Sequence, residues 1–118
     1  MAPRSQLEIV TSSVLRLVKE EASYHKELQQ QTERVKKLEA ETGGDDENRE
    51  FTLKQERAAL EETRKVLPSL KQQIVQTVSN LQALITEEGK KGLDSNVEHI
   101  TAAKEAIAKA KTAEREIS

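Results

Sequence analysis

Leu7, Val10, Val14, Leu17, Glu21, Tyr24, Leu28, Gln31, Val35 and Leu38 follow one another in alternating steps of three and four residues. Such steps lay side chains along one stripe of an α-helix, whereas a strand would repeat every second residue. The pattern is a seven-residue repeat whose a and d places are mostly apolar. It predicts helix 1 over about residues 5–42, on the order of 50 Å long at about 1.5 Å per residue. The other faces are polar, so this helix needs partners along its seam. Ser5 and Glu8 form an S-x-x-E capping box that opens it just after Pro3. Glu21 and Gln31 are polar seam places and read as a partly wet seam or as residues that set register. Val18 widens the stripe, while Ile9 and Leu15 are expected to be singly exposed. Tyr24, at a d place, is expected in the core with its hydroxyl at the edge.

Helix 2 is predicted over about residues 49–88. Its seam runs Leu53, Glu56, Leu60, Thr63, Leu67, Leu70, Ile74, Thr77 or Val78, Leu81, and Leu84 or Ile85. Asn48 can cap it, and Thr52 with Gln55 is a further capping box. Pro68 removes one backbone donor and clashes with the preceding turn. The apolar register nevertheless continues through it, so the expectation is one kinked, continuous helix. In the connection before it, Gly43 and Gly44 can take positive φ and close helix 1. Asp45, Asp46 and Glu47 then precede a helix N-terminus, where negative charge is favoured. They lack the D-x-D-x-D-G order of a calcium loop.

Gly89–Asp94 is the second connection, with Gly89 as a C-cap candidate and Lys90 and Lys91 at the negative end of the helix dipole. Ser95 and Glu98 form another S-x-x-E box, opening helix 3 over about residues 95–117. Its stripe of Val97, Ile100, Ala103, Ile107, Ala110 and Ile117 is narrow and rich in alanine. It buries little area, so helix 3 is expected to be the shortest and least stable element. The predicted fold is all-α: a single-domain antiparallel three-helix bundle with coiled-coil-like left-handed packing and helix 2 kinked at Pro68.

Composition agrees. Of 118 residues, 34% are charged and 2% aromatic, which excludes an easily built sandwich, barrel or doubly wound sheet. Nineteen basic and 21 acidic residues are interleaved, for a net charge of −2. That charge, with almost no aromatics to stack bases, argues against nucleic acid as a partner. No apolar run is long enough to span a bilayer and no apolar signal core opens the chain, so a soluble intracellular protein is expected. The absence of cysteine excludes disulfides and thiol chemistry. His25 and His99 stand on different helices without metal-ligand spacing and read as solvated histidines. No nucleophile elbow, phosphate loop or zinc motif occurs. The carboxylates read as solvated faces with helical pairing, as in Glu33 with Lys37 and Glu61 with Lys65. No catalytic, cofactor or metal site is expected, which leaves a protein that binds other proteins through charged helical faces.

Two segments carry more. Arg16-Leu17-Val18-Lys19-Glu20 is followed by Tyr24, Lys26, Glu27, Gln30 and Gln31. Lys54-Gln55 is followed by Leu60-Glu61-Glu62-Thr63-Arg64, then by Pro68, then by Leu81. In order and spacing these resemble the tubulin-binding cofactor A family. The resemblance covers roughly Leu7 to Glu88; beyond Asp94 only the pattern matches. It implies a three-helix bundle that captures quasi-native β-tubulin released from the cytosolic chaperonin and passes it toward αβ-heterodimer assembly. It further implies no nucleotide or metal, other tubulin-folding cofactors as partners, and a place in the cytoplasm and the microtubule cytoskeleton. On the matching blocks the expected contact surface is Arg16, Lys19, Glu20, Lys26 and Glu27 with Glu61, Glu62, Arg64 and Lys65. The expected state is a monomer or weak homodimer. The alternative is a structural or tethering coiled coil that self-associates through the same seam.

Overall fold

A computed structural model describes residues 3–41 and 47–117, Ile117 by its backbone alone. It contains three helices, α1 (Gln6–Ala40), α2 (Glu47–Gly89) and α3 (Val97–Ile117), with a short 3₁₀ turn at Gly92–Asp94. No strand occurs among the described residues. The Gly43–Gly44 stop and the acidic pair Asp45 and Asp46 lie outside them, as does the side chain of Ile117 in the helix 3 stripe.

Local chemistry explains the helix ends. The Glu8 N–H donates to Ser5 Oγ at 3.2 Å, and the Ser5 N–H donates back to Glu8 Oε1 at 3.2 Å. This reciprocal pair satisfies two donors that the first turn leaves over. At α3 the expected Ser95 box is replaced by Asn96, whose Oδ1 accepts the His99 N–H at 3.1 Å. Ser95 instead turns its hydroxyl to the Gly92 carbonyl at 2.7 Å. The left-handed residue is likewise not Gly89, which stays inside α2, but Gly92, at φ 63°. Glycine adopts that conformation without a Cβ penalty. α2 runs through Pro68 without interruption, because a proline withholds one helical bond while the neighbouring turns keep theirs.

The chain divides into two compact units. One takes α1 as far as Glu20, α2 from Leu70 onward, and α3. Its core is apolar on all three helices: Leu7, Val10, Val14 and Leu17; Leu70, Ile74 and Leu81; and Ala103, Ala106, Ile107 and Ala110. Alanine on α3 lets that helix approach closely. Val97, predicted in the stripe, is 67% exposed, because it opens the helix and no earlier turn carries the stripe to it. Ala106 joins the buried set unpredicted, fully inside at 1% exposure.

In this unit the last turn of α2 is tied to the start of α3. The Asn96 N–H donates to Glu88 Oε2 at 3.0 Å and Lys91 Nζ donates to Glu88 Oε1 at 3.1 Å. The Asn96 bond first, then Lys91 and the nearby His99, hold the Glu88 carboxyl below its ordinary value of 4.5. A carboxyl depressed in the folded state stabilises the fold above its unfolded value and loses that contribution as pH falls through the folded one. Glu88→Gln is therefore expected to flatten the acid limb of the stability profile below pH 4.5 and leave its shape near neutrality alone. Acid titrations followed by far-ultraviolet circular dichroism check this; superimposable acid limbs for the two proteins would refute it.

The other unit, Glu21–Ser69, consists of the remaining lengths of α1 and α2 paired antiparallel. Cross-helix bonds run between the two helices. Arg34 meets Glu56 at 3.5 Å and Arg57 meets Glu39 at 3.3 Å. The Arg49 guanidinium donates twice to the Leu38 carbonyl, at 3.1 and 2.7 Å, and so serves the end of α1. Its seam is thin. Val35 and Leu60 are buried, and so are the polar Glu21, Gln31 and Thr63. Tyr24, Leu28, Leu38, Leu53 and Leu67 are half-buried.

Candidate functional site

Residues off a helical seam face water, and all nine residues expected to form the contact surface do so: each is exposed. Arg16, Lys19 and Glu20 belong to the three-helix unit; Lys26, Glu27, Glu61, Glu62, Arg64 and Lys65 belong to the two-helix unit. Arg16 and Glu20 stand 3.8 Å apart one turn along α1. Arg64 bonds Glu61 at 3.0 Å, which displaces the pairing of Glu61 with Lys65 expected from the sequence. Glu33 and Lys37, among the described residues, form no ion pair either. Lys19, Lys26, Glu27, Glu62 and Lys65 make no ion pair among the described residues. Within the two-helix unit, no hydrogen bond or ion pair joins Lys26 and Glu27 to the four residues of α2. In each unit the residues are exposed charges on helix exteriors, and the ion pairs among them are Arg16–Glu20 and Arg64–Glu61.

The energetics of such a surface are permissive. Arg16 and Glu20 are 69% and 48% exposed, and pairs of this kind contribute about 0–1 kcal/mol. Replacing them by bonds to a partner costs the fold little. The seam residues behave oppositely: every predicted seam place of helices 1 and 2 is buried or half-buried, so their apolar surface is committed within the chain.

Several polar contacts escaped the reading of the sequence. Arg34–Glu56, Arg57–Glu39 and Arg49 on Leu38 all bridge helices, where a search for partners three or four residues away does not reach. One signal was present: Glu56 occupies a seam place, which calls for a cation from the facing helix. His99 is not a solvated histidine either. It is about one-third exposed, and its Nε2 lies 3.7 Å from Glu8 Oε2. Arg4, Glu8, Thr11, Ser12, His99 and Ala102 line a shallow recess there, with Arg4 donating to the Glu8 carbonyl at 3.4 Å and to the Ser12 hydroxyl. Tyr24 and His25 are half-buried. Among the described residues no three His, Asp or Glu side chains are placed to hold a metal ion, and no helix is long and apolar enough to cross a membrane.

Comparison with known proteins adds the remaining finding. A family model described as tubulin binding cofactor A matches residues 2–107. Tubulin-specific chaperone A of Mus musculus is 35% identical over 83 residues, covering 70% of this chain and 72% of that protein. The Homo sapiens protein of the same name is 35% identical over the same shares. Tubulin-specific chaperone A of Saccharomyces cerevisiae is 33% identical over 108 residues, covering 91% of this chain and 97% of its own. No solved structure gives a significant match.

Proposed function

The chain belongs to the tubulin binding cofactor A family, and from that premise we propose that it captures quasi-native β-tubulin released from the cytosolic chaperonin and holds it for assembly with α-tubulin. The family is one of tubulin chaperones and not of enzymes, and the chain is a tubulin-folding cofactor. The observation that carries the reading is the family match itself, which starts ahead of α1 and reaches into α3.

The physical features fit a reversible holder. The apolar seams are used inside the chain, and the exterior offers exposed charge of both signs. Charged contacts speed encounter and fix orientation, while a large apolar interface would trap the client. The contact surface in this reading is Arg16, Lys19, Glu20, Lys26, Glu27, Glu61, Glu62, Arg64 and Lys65. Other tubulin-folding cofactors are further partners, the place of action is the cytoplasm along the microtubule pathway, and the working state is a monomer or weak homodimer.

A structural coiled coil remains the second reading. It needs the seam for self-association, and the burial of Leu7, Val14, Leu70 and Leu81 within one chain counts against it. Size-exclusion chromatography with light scattering separates the two. The chain is mixed with labelled β-tubulin freshly released from chaperonin. A complex containing one β-tubulin is the expected result. A label that never shifts, with the chain alone running as a stable elongated oligomer, would return the assignment to the structural reading.

A further inference from the structure

We propose that the two-helix unit, Glu21–Ser69, opens as a cooperative unit of its own while the three-helix unit stays folded. The buried side chains divide very unevenly. Among the described residues, Val35 and Leu60 are the only buried apolar side chains in the two-helix unit, and the other eleven belong to the three-helix unit. The buried polar groups divide the other way: Glu21, Gln31 and Thr63 against Thr11 alone. Burial of apolar area is the main favourable term in folding, so the two-helix unit has little of it.

Among the described residues, the other polar features of that unit are weak or unfavourable. Gln31 is 6% exposed and its Oε1 accepts no hydrogen bond among the described residues, a buried acceptor that loses its water without gaining a partner. The bridging pairs Arg34–Glu56 and Arg57–Glu39 involve arginines 56% exposed, so solvent screens them. Pro68, the residue before the last of the unit, withholds one bond from the α2 ladder. Most helical stability in a protein comes from packing of the apolar face, so the pair depends on its thin seam. By contrast the alanine stripe of α3, expected from the sequence to make helix 3 the weakest element, packs into the better-filled core, with Ala103 at 0% exposure. Regions with few buried apolar contacts form the low-stability end of a protein's opening hierarchy. Opening would free Tyr24, Leu28 and Val35 on one helix and Leu53, Leu60 and Leu67 on the other. Under the tubulin-cofactor reading these become surface that can rearrange on a client, but the opening itself is a property of the free chain and is tested there.

The test is native-state amide hydrogen exchange on the full chain at several low denaturant concentrations. Amides of residues 24–40 and 50–66 are expected to exchange at least about tenfold faster than those of 10–17, 74–88 and 103–110, as one group with its own shallow denaturant slope. Gln31→Leu removes the orphan acceptor and is expected to slow the first set about tenfold, with the second set slowed by at most the same factor, since global opening includes the two-helix unit. Ile74→Val, in the three-helix core, is expected to speed the second set about fivefold and leave the first unchanged. Equal protection along all three helices, a Gln31→Leu chain in which the first set is not slowed, or an Ile74→Val chain in which both sets speed up together overturns the proposal.

Discussion

Leu81→Ala is expected to lower the free energy of unfolding by about 2–5 kcal/mol, the range for a buried leucine cut back to alanine. Leu81 is 0% exposed in the α2 part of the three-helix unit, where Leu70 and Ile74 on the same helix are also buried. The lost contacts and the space left behind both count, because a close-packed interior relaxes only in part. Natural domains are stable by about 5–15 kcal/mol, so the loss is a large share of the whole. At roughly 4 °C per kcal/mol the melting temperature should fall by about 8–20 °C. Phe51→Ala is the matched control. Phe51 is a larger side chain but 61% exposed, and its removal should stay within about 0.5 kcal/mol. Urea titrations followed at 222 nm compare the three proteins. A Leu81→Ala curve that overlays the parent would remove Leu81 from the structural core.

The second large effect concerns binding. Lys19→Glu combined with Arg64→Glu is expected to weaken β-tubulin affinity by tenfold or more, which is about 1.4 kcal/mol. Both side chains are exposed, so neither change burdens the core. Arg64 gives up its bond to Glu61, whose partners are 54% and 58% exposed, and that loss costs the fold only a few tenths of a kcal/mol. Reversing an exposed interfacial charge acts mainly on the association rate and is screened by salt. The loss of affinity should therefore shrink when ionic strength is raised. Surface-plasmon kinetics at two salt concentrations, with helicity checked by circular dichroism, provide the measurement. Unchanged binding at native helicity would strike both residues from the contact surface.

The pattern of the sequence carried most of the fold. Steps of three and four placed Leu7, Val10, Val14 and Leu17, and Leu60, Leu70, Ile74 and Leu81, inside, and left Ile9 and Leu15 exposed. The Ser5–Glu8 box formed as read. Exposure of the nine candidate contact residues also followed from the pattern, since they stand off the seam. The role proposed for them did not: alternating charge on a helix exterior names no partner, and tubulin entered only through the Arg16–Glu20 and Leu60–Arg64 blocks and the family match.

What the pattern missed has two physical causes, competition between near neighbours in the chain and contact between helices. Ser95 and Asn96 are adjacent residues of nearly equal capping strength. The choice between them was made by the positive φ of Gly92, which turns the Ser95 hydroxyl back to its carbonyl. Glu39 found its arginine on the facing helix, and Glu61 took Arg64 in place of Lys65. Gln31, legible as a polar seam place, turned out to hold an acceptor with no partner among the described residues. The sequence by itself determined the three helices, their buried stripes and the first cap, because helical periodicity is local and is set by bonds reaching only four residues. Only the tertiary structure decided which polar groups meet across helices and how unevenly the two units fill their cores. Those outcomes depend on the register between helices, and residues far apart in the chain set it together.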